Sequence, residues 1–131
     1  MAQNIIYYQN GENIIKAGQI EQRMYIILEG RVSVILQSGE DQFVVATMGK
    51  GDFFGEISLF TDHPRSATVR ALGDVKLAYI DNAAQLKVFL LKNPQFAAKM
   101  VQILAQRLAK TDEILIGKIS ELKRLRETQA I

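Results

Sequence analysis

Cysteine and histidine, which build many metal, redox and catalytic sites, are almost absent from this chain. Its 131 residues include no cysteine and one histidine. Without cysteine the chain can form neither disulfides nor thiolate metal sites, and this suits a reducing compartment, so we expect a cytoplasmic protein. No apolar run approaches the roughly 18 residues that a membrane-spanning helix needs. No basic segment followed by an apolar stretch indicates a secretory signal.

The scarcity of catalytic side chains argues against an enzyme. The one histidine, His63, precedes Pro64 in a predicted turn and cannot by itself supply the several ligands of a metal site. No Ser/His/Asp arrangement or pair of catalytic carboxylates is visible. We therefore expect no catalytic residues, no metal and no cofactor. The formal net charge of +2 is also too small to indicate nucleic-acid binding by itself.

Glycine divides much of the chain into short segments of β type. It recurs every several residues between residues 12 and 80. Residues 31–35 alternate in the manner of a half-buried strand. Many short strands separated by turn signals are typical of a β-sandwich or barrel. The predicted strands span residues 13–17, 24–28, 31–37, 42–48, 67–71 and 75–80.

The pattern becomes helical from Asp81 onward, where the chain contains one glycine and one proline. Asp81 or Asn82 can cap a helix that runs to about Lys92. Pro94 suits the first turn of the next helix, so Asn93-Pro94 is predicted to separate the two. We also expect a short N-terminal helix over residues 3–9. The predicted organisation is one domain, with a β-barrel and short flanking helices in residues 1–94 and a long helix in residues 95–131.

The most informative segment is residues 51–69, in which Glu56 precedes Arg65 by nine positions. Arginine presents a planar fork that matches phosphate oxygens, and a fixed carboxylate accepts a hydrogen bond from a sugar hydroxyl. Glycine lets the backbone approach a ligand closely, and a helical turn beginning at Glu56 would direct free N–H groups at a negative charge. These features predict a site for an anion that carries a sugar. Small residues that accompany the pair are Gly49, Gly51, Gly55, Ser58, Ser66 and Thr68.

This segment resembles the phosphate-binding cassette of the cyclic nucleotide-binding domain family. That family includes catabolite-activator-type regulators, regulatory subunits of cyclic-nucleotide-dependent kinases and gated channels. The resemblance covers about residues 5–116 and implies a mainly β fold with flanking helices: an antiparallel β-barrel or jelly roll, of the cupin-like double-stranded β-helix type, followed by a long C-terminal helix. It rests on Phe54-Gly55-Glu56, on Pro64-Arg65-Ser66-Ala67-Thr68, and on residues 26–32 and 49–53.

The resemblance implies a 3′,5′-cyclic purine mononucleotide as ligand. Arg65 would hold the cyclic phosphate, and Glu56 would accept the ribose 2′-hydroxyl. We expect cAMP in preference to cGMP, although the Ser66 hydroxyl is also compatible with a guanine. The alternative is that Glu56 and Arg65 form a surface ion pair on a turn. The predicted ligand-binding residues are Gly55, Glu56, Ile57, Ser58, Arg65, Ser66, Ala67 and Thr111.

A heptad pattern begins at Val101 and predicts a coiled coil. Six of its eight core positions are apolar, and the flanking charges favour a parallel pair. We therefore expect a homodimer through residues 101–125. The alternative is that the apolar face packs on the chain's own β-domain, as we expect for Phe96, Met100 and Ile103. The core positions are Val101, Leu104, Leu108, Thr111, Leu115, Lys118, Leu122 and Leu125.

Two residues of this helix leave alternatives open. Thr111 occupies a core position, where a lone polar residue sets the register of a coiled coil. In the catabolite-activator type, hydroxyl residues at this place contact the purine, which implies the same role for Thr111. Asp112 departs from that pattern, because a hydroxyl residue is expected at its position. Asp112 can instead pair with Arg107. Gly117 costs about 1 kcal/mol within a helix, so the helix either continues past it or bends or ends there.

These observations favour a cyclic-nucleotide receptor that couples ligand binding to its C-terminal helix and to a possible downstream protein partner. The alternative is a dimerisation module whose nucleotide pocket no longer binds. An enzyme is the weakest hypothesis. Residues 118–131 mix basic and acidic side chains, and the chain ends too soon for a DNA-reading helix-turn-helix, so we expect no direct DNA binding.

Overall fold

The computed structural model describes residues 4–61, 64–65 and 67–129. Ser66 and His63 therefore lie outside the described residues. Six strands come first, with one 3-10 helix among them, and two α-helices follow. The elements are β1 (Ile5–Tyr8), β2 (Asn13–Ile15), β3 (Met24–Ser38), β4 (Asp41–Met48), β5 (Phe53–Phe54), the 3-10 helix (Glu56–Leu59), β6 (Thr68–Ile80), α1 (Ala83–Lys92) and α2 (Pro94–Gln129).

The described strands form one antiparallel sheet. Its main path runs β1-β6-β3-β4, while β2 pairs with β6 and β5 pairs with β3. The predicted architecture, antiparallel β structure followed by a long helix, is confirmed. The predicted closure of the sheet into a barrel is not observed, because the sheet of the described residues is open.

Strands β3 and β6 are longer than the sequence predicts, because each joins two predicted strands. Their pairing shifts register between Ile27 and Glu29 and again between Glu29 and Arg31. Gly30 lies at this irregularity with φ of 91°, and a Cβ there would collide with the Asp74 carbonyl oxygen. Glycine therefore permits a bulge within a continuous strand, where the sequence pattern indicates a break.

The main core cluster is formed by side chains of β2, β3, β5 and β6. Tyr25, Val32 and Leu77 are almost completely buried. Each such side chain contributes about 1.5–3 kcal/mol through burial of its apolar surface. Ile14, Ile15, Ile27, Phe54, Val69, Ala71 and Val75 complete the cluster.

The helix predicted for residues 3–9 is wrong. Ile5–Tyr8 form a strand that pairs with residues 75–78 of β6. The segment consists of β-branched and aromatic residues, which favour strands. Ile6 and Tyr8 pack against the core cluster, so tertiary pairing decides the structure here.

The helix boundaries follow the predicted local signals. Asn82 caps α1, since its Oδ1 accepts the backbone N–H of Gln85 at 2.8 Å. The Gln85 side chain in turn accepts the N–H of Asp81 at 2.9 Å. Pro94 begins α2. This helix continues through Gly117, so the break considered there is not observed.

The chain divides into two compact units, Met1–Lys87 and Val88–Ile131. Assignment of residues 95–131 to the same domain as the β-sheet stays a prediction. So does the packing of Phe96, Met100 and Ile103 on the β-domain. Among the described residues, no helix is both long and apolar enough to cross a membrane.

Candidate functional site

Gly55 stands between β5 and the 3-10 helix and is required there for two reasons. Its φ of 83° is one that L side chains rarely adopt. A Cβ at this position would also lie 2.7 Å from the Arg23 carbonyl oxygen and 2.7 Å from Nη1 of Arg65. The group that approaches this glycine is thus the guanidinium of Arg65, and the predicted approach of the backbone to a ligand stays a prediction.

Arg65 is held at both its main chain and its side chain. Its N–H donates to the Gln19 carbonyl at 2.8 Å, and its own carbonyl accepts the N–H of Gly18 at 2.7 Å. In the guanidinium, Nη1 donates to the Gly55 carbonyl at 3.2 Å and Nη2 donates to the Arg23 carbonyl at 2.6 Å. These four hydrogen bonds fix the position and the orientation of the arginine fork.

The guanidinium of Arg65 is buried yet incompletely satisfied. The side chain is 8% exposed, and its Nε has no hydrogen-bond partner among the described residues. Burial lowers the pKa of Arg65, while the carboxylates of Glu21 and Glu56 act in the opposite direction. Arginine nevertheless stays charged in proteins. A buried cation with donors left over is a site that an anion would satisfy.

Glu56 begins the 3-10 helix, and its side chain is 9% exposed. Its charge acts on Arg65, so the two predicted site residues lie close together. Because both side chains are buried, the structure does not support the alternative of a surface ion pair. A buried carboxylate beside a buried guanidinium supplies the acceptor and the donors that a sugar phosphate needs.

The remaining predicted residues flank this pair. Ser58 is buried, but its backbone N–H donates to the Gly55 carbonyl at 3.2 Å. Its amide is thus engaged within the turn, where the sequence predicts a group directed at the ligand. Ile57 is exposed, and Ala67 lies half-buried just before β6. Ser66 is outside the described residues.

No local pattern in the sequence indicates that residues of the segment 18–23 contact Arg65. Their contribution comes from main-chain groups of Gly18, Gln19 and Arg23. Such main-chain groups hardly depend on the residue type, and Arg23 is 42 positions from Arg65. Only Gly18, with φ of 87°, marks a turn in this segment that sequence reasoning can use.

Arg23 has a second set of contacts through its side chain. Its Nε donates to Oδ1 of Asp81 at 2.8 Å, and its guanidinium lies 4.0 Å from the centre of the Tyr79 ring. Burial disfavours the charged form, but hydrogen bonds to Asp81 and Tyr25 outweigh it, so the pKa of Arg23 is raised. Arg23 therefore contacts Arg65 through its carbonyl and the end of β6 through its side chain.

Tyr25 packs against the residue that precedes Gly55. Its ring stacks on Phe54 with centroids 5.2 Å apart, and its hydroxyl donates to Oε1 of Glu21 at 3.1 Å. Burial raises the pKa of Tyr25, and the negative charge of Glu21 raises it further. The stacking connects β3 to β5 directly before Gly55.

Thr111 lies on α2, in the second unit, and its hydroxyl donates to the Arg107 carbonyl at 3.0 Å. Such bonds back to the preceding turn are common for threonine within helices. Thr111 is exposed. Its contact with a bound purine stays a prediction.

A separate groove of about 380 Å³ lies beside β1 and the irregular part of the β3–β6 pair. Tyr7, Glu29 and Asp74 contribute to its walls. None of the predicted ligand-binding residues lines it. The arginine site, defined as Gly55, Glu56, Arg65 and the Arg23 carbonyl, is therefore a different place on the molecule.

Comparison with protein families agrees with this geometry. The sequence profile described as "Cyclic nucleotide-binding domain" matches residues 5–91, which include the whole arginine site. The chain belongs to the cyclic nucleotide-binding domain family. The resemblance noted in residues 51–69 is thereby confirmed.

Two curated relatives of this cyclic nucleotide-binding domain are regulatory proteins. The cAMP-dependent protein kinase type II regulatory subunit of Drosophila melanogaster is 47% identical over 75 residues, which are 56% of this chain and 20% of that protein. The CRP-like cAMP-activated global transcriptional regulator of Mycobacterium tuberculosis is 28% identical over 113 residues, which are 86% of this chain and 50% of that protein. The chain thus spans half the length of these relatives or less.

The fold also matches a solved structure. The catabolite activator protein of Thermus thermophilus superimposes with a TM-score of 0.73 at 27% identity, over 86% of this chain and 53% of that one. The cyclic nucleotide-binding domain family is regulatory, not catalytic.

Proposed function

We propose that this chain is a receptor for a 3′,5′-cyclic purine mononucleotide, and that it binds cAMP in preference to cGMP. The observation that carries the proposal is the buried Arg65 guanidinium, which retains an Nε donor without a partner among the described residues. Burial of a cation with unused donors is costly unless an anion completes the site. Both curated relatives named above have cAMP in their names, which supports this nucleotide.

Each residue of the arginine site has one role in this proposal. Arg65 holds the cyclic phosphate, assisted by the Ser66 hydroxyl and the Ile57 amide. Glu56 accepts a hydrogen bond from the ribose 2′-hydroxyl. Gly55 leaves room for the guanidinium of Arg65, which lies 2.7 Å from the place that a Cβ of residue 55 would occupy.

The proposed output is regulatory. The nucleotide acts on α2, either through its base against Thr111 or through the elements that precede α2, and a downstream partner responds. A ligand shifts such an arrangement only by binding one state better than the other. A coupling free energy of about 1–3 kcal/mol is typical.

We also propose that the receptor is a parallel homodimer through α2. Helix α2 exposes more apolar surface than a helix in water would keep without a partner. Five of the eight large apolar side chains that the described part of α2 exposes occupy core positions of the predicted heptad, which is the pattern of a coiled-coil seam, while Ile114, Ile116 and Ile119 lie outside it. The core positions that are more than half exposed are Val101, Leu108, Leu115, Leu122 and Leu125.

Calorimetric titration of the parent and of Arg65→Ala with cAMP and with cGMP tests the binding proposal. We expect tighter binding of cAMP by the parent and a loss of roughly 2–4 kcal/mol in the variant, because a charge-assisted contact in a buried site disappears. Arg70→Ala is the matched control: Arg70, on β6, is half-buried, and its Nε donates to Oδ1 of Asn13 at 2.9 Å. Tighter binding of cGMP would reverse the preference. If the parent binds neither nucleotide, a dimerisation module with a non-binding pocket becomes the better hypothesis.

A further inference from the structure

Arg23 joins the arginine site to the beginning of α1. Its carbonyl accepts the shorter of the two hydrogen bonds from the Arg65 guanidinium, 2.6 Å against 3.2 Å for the bond to Gly55. Its side chain is clamped between Asp81 at 2.8 Å and the ring of Tyr79 at 4.0 Å. One residue thus contacts the anion-binding group and the end of strand β6.

We propose that Asp81, acting through Arg23, positions Arg65 for its ligand. Arg23 and Asp81 are positioning residues in this inference, and neither is required to touch the nucleotide. The inference rests on the proposed function for the identity of the ligand. The positioning itself is a property of the free protein and can be measured without a ligand.

The argument begins with the position of the Arg23 carbonyl. On its C-terminal side the chain enters β3, where Met24 is fully buried and pairs with Ile80. On its N-terminal side the chain is an irregular segment without helix or strand. The ion pair with Asp81, together with the Tyr79 ring, anchors the Arg23 side chain to the end of β6 and so restrains the residue at this end of β3.

Orientation of the Arg65 fork depends on that carbonyl. A guanidinium has five N–H donors in a rigid plane. The two carbonyls of Gly55 and Arg23 engage one donor on each terminal nitrogen, which fixes the plane and leaves three of the five donors, Nε among them, outside these two bonds. A planar fork recognises phosphate geometrically, so its preorganisation saves the ordering cost of binding.

The ion pair between Arg23 and Asp81 also connects the arginine site to the start of α1. Asp81 immediately precedes the capping residue Asn82, and its own N–H donates to the side chain of Gln85 in the first turn. The carboxylate that anchors Arg23 is thus connected to the helix start. Coupling between two sites is reciprocal, so a ligand that holds Arg65 also favours the helix start in which Asp81 faces Arg23.

The test uses Arg23→Ala, Asp81→Asn and the double variant Arg23→Ala/Asp81→Asn. Arg23→Ala keeps the carbonyl that Arg65 contacts and removes only its anchor. Arg23→Lys is the conservative variant, which keeps the charge opposite Asp81. Arg70→Ala is the control, because its loss removes a side-chain hydrogen bond of β6 that does not involve Arg65.

Two readouts are measured on each full-length variant. The first is the dissociation constant for cAMP, which we expect to rise roughly 3- to 10-fold in each single variant because preorganisation is lost. The double variant should be no weaker than the single ones, since both act through one contact, and Arg23→Lys should recover part of the affinity. The second is the rate at which the Nε proton of Arg65 exchanges with water in the free protein, measured by NMR. It should increase in Arg23→Ala and Asp81→Asn and stay unchanged in Arg70→Ala.

The outcomes separate this inference from the proposed function. If the parent binds cAMP and Asp81→Asn binds it equally well with an unchanged exchange rate, the positioning role is wrong and the receptor function stands. If the parent binds no cyclic nucleotide, the receptor function fails, and the exchange rate of the Arg65 Nε proton alone tests the positioning role. Faster exchange in Asp81→Asn supports that role, and an unchanged rate overturns it. An affinity loss of the same size in Arg70→Ala would show a general effect of destabilisation and would also overturn it.

Discussion

The Nη1 nitrogen of Arg65 donates a hydrogen bond to the carbonyl of Gly55 at 3.2 Å, and the same nitrogen lies 2.7 Å from the place where a Cβ of residue 55 would be. The glycine thus accepts the guanidinium through its main chain and admits it through its missing side chain. In this way the residue before Glu56 determines where the guanidinium of Arg65, ten positions later, lies. Several measurable consequences depend on this contact and on its surroundings.

Gly55→Ala should impair both stability and binding. The substitution forces an L residue into a φ of 83°, which costs roughly 1–2 kcal/mol, and it also displaces Arg65. Gly39→Ala is the matched control, since Gly39 has a φ of 64° with nothing within 4 Å of its Cβ position. Urea unfolding should show a larger loss for Gly55→Ala than for Gly39→Ala, and cAMP titration should show a loss only for Gly55→Ala. Equal effects of the two variants on binding would contradict the steric argument.

Glu56→Gln should weaken binding through the ribose. A carboxylate accepts a stronger hydrogen bond from a hydroxyl than an amide does, and a difference of about 1–2 kcal/mol is expected. The decisive comparison uses 2′-deoxy-cAMP, which lacks the hydroxyl. The parent should bind this analogue more weakly than cAMP, whereas Glu56→Gln should discriminate little between the two ligands. Full discrimination by the variant would show that another group contacts the 2′-hydroxyl.

Leu108→Glu/Leu115→Glu should convert a dimer into monomers. Both leucines are more than half exposed and occupy seam positions of the heptad, so the double variant places like charges in the interface. The control is Ala109→Glu/Ile116→Glu, which adds the same charges one position further along, outside the seam. Light scattering should give a dimer mass for the parent and the control and a monomer mass for the seam variant. A monomeric parent, or a seam variant that stays dimeric, would mean that α2 does not dimerise in this way.

Stability should fall as the pH rises above about 10. Burial raises the pKa of Tyr25 in the folded state, and it also raises that of Tyr8. Above the ordinary tyrosine pKa near 10 the unfolded chain loses a proton that the folded chain keeps, so the free energy of unfolding decreases by up to about 1.4 kcal/mol per pH unit for each such group. Urea unfolding between pH 8 and about 11 measures this slope. The slope of the unfolding free energy against pH should be smaller in Tyr25→Phe than in the parent. An identical slope would mean that other groups cause the loss of stability.

Local signals in the sequence were sufficient for several parts of the structure. Asn82 caps α1, Pro94 begins α2, and a helical turn starts at Glu56, as their sequence positions predict. Each of these features depends on residues within a few positions of one another. Physical preferences at that range act in the chain before tertiary contacts form, which makes them readable from sequence.

The order of residues in the arginine site was also visible, because Gly55, Glu56 and Arg65 lie within eleven positions and match a family pattern. That pattern, rather than composition or periodicity, indicates a cyclic nucleotide. The described structure then shows that Glu56 and Arg65 are buried. Burial is a property of the packed molecule, and no local signal distinguishes a buried pair from an exposed one.

The tertiary structure alone decided the remainder. Ile5–Tyr8 form a strand because they pair with β6. Gly30 forms a bulge within β3, where the Asp74 carbonyl lies against it. The Arg23 carbonyl reached Arg65 across 42 positions of sequence. A main-chain carbonyl has the same chemistry in every residue, so sequence determines which side chains can form the site, while only the fold determines which backbone groups orient them.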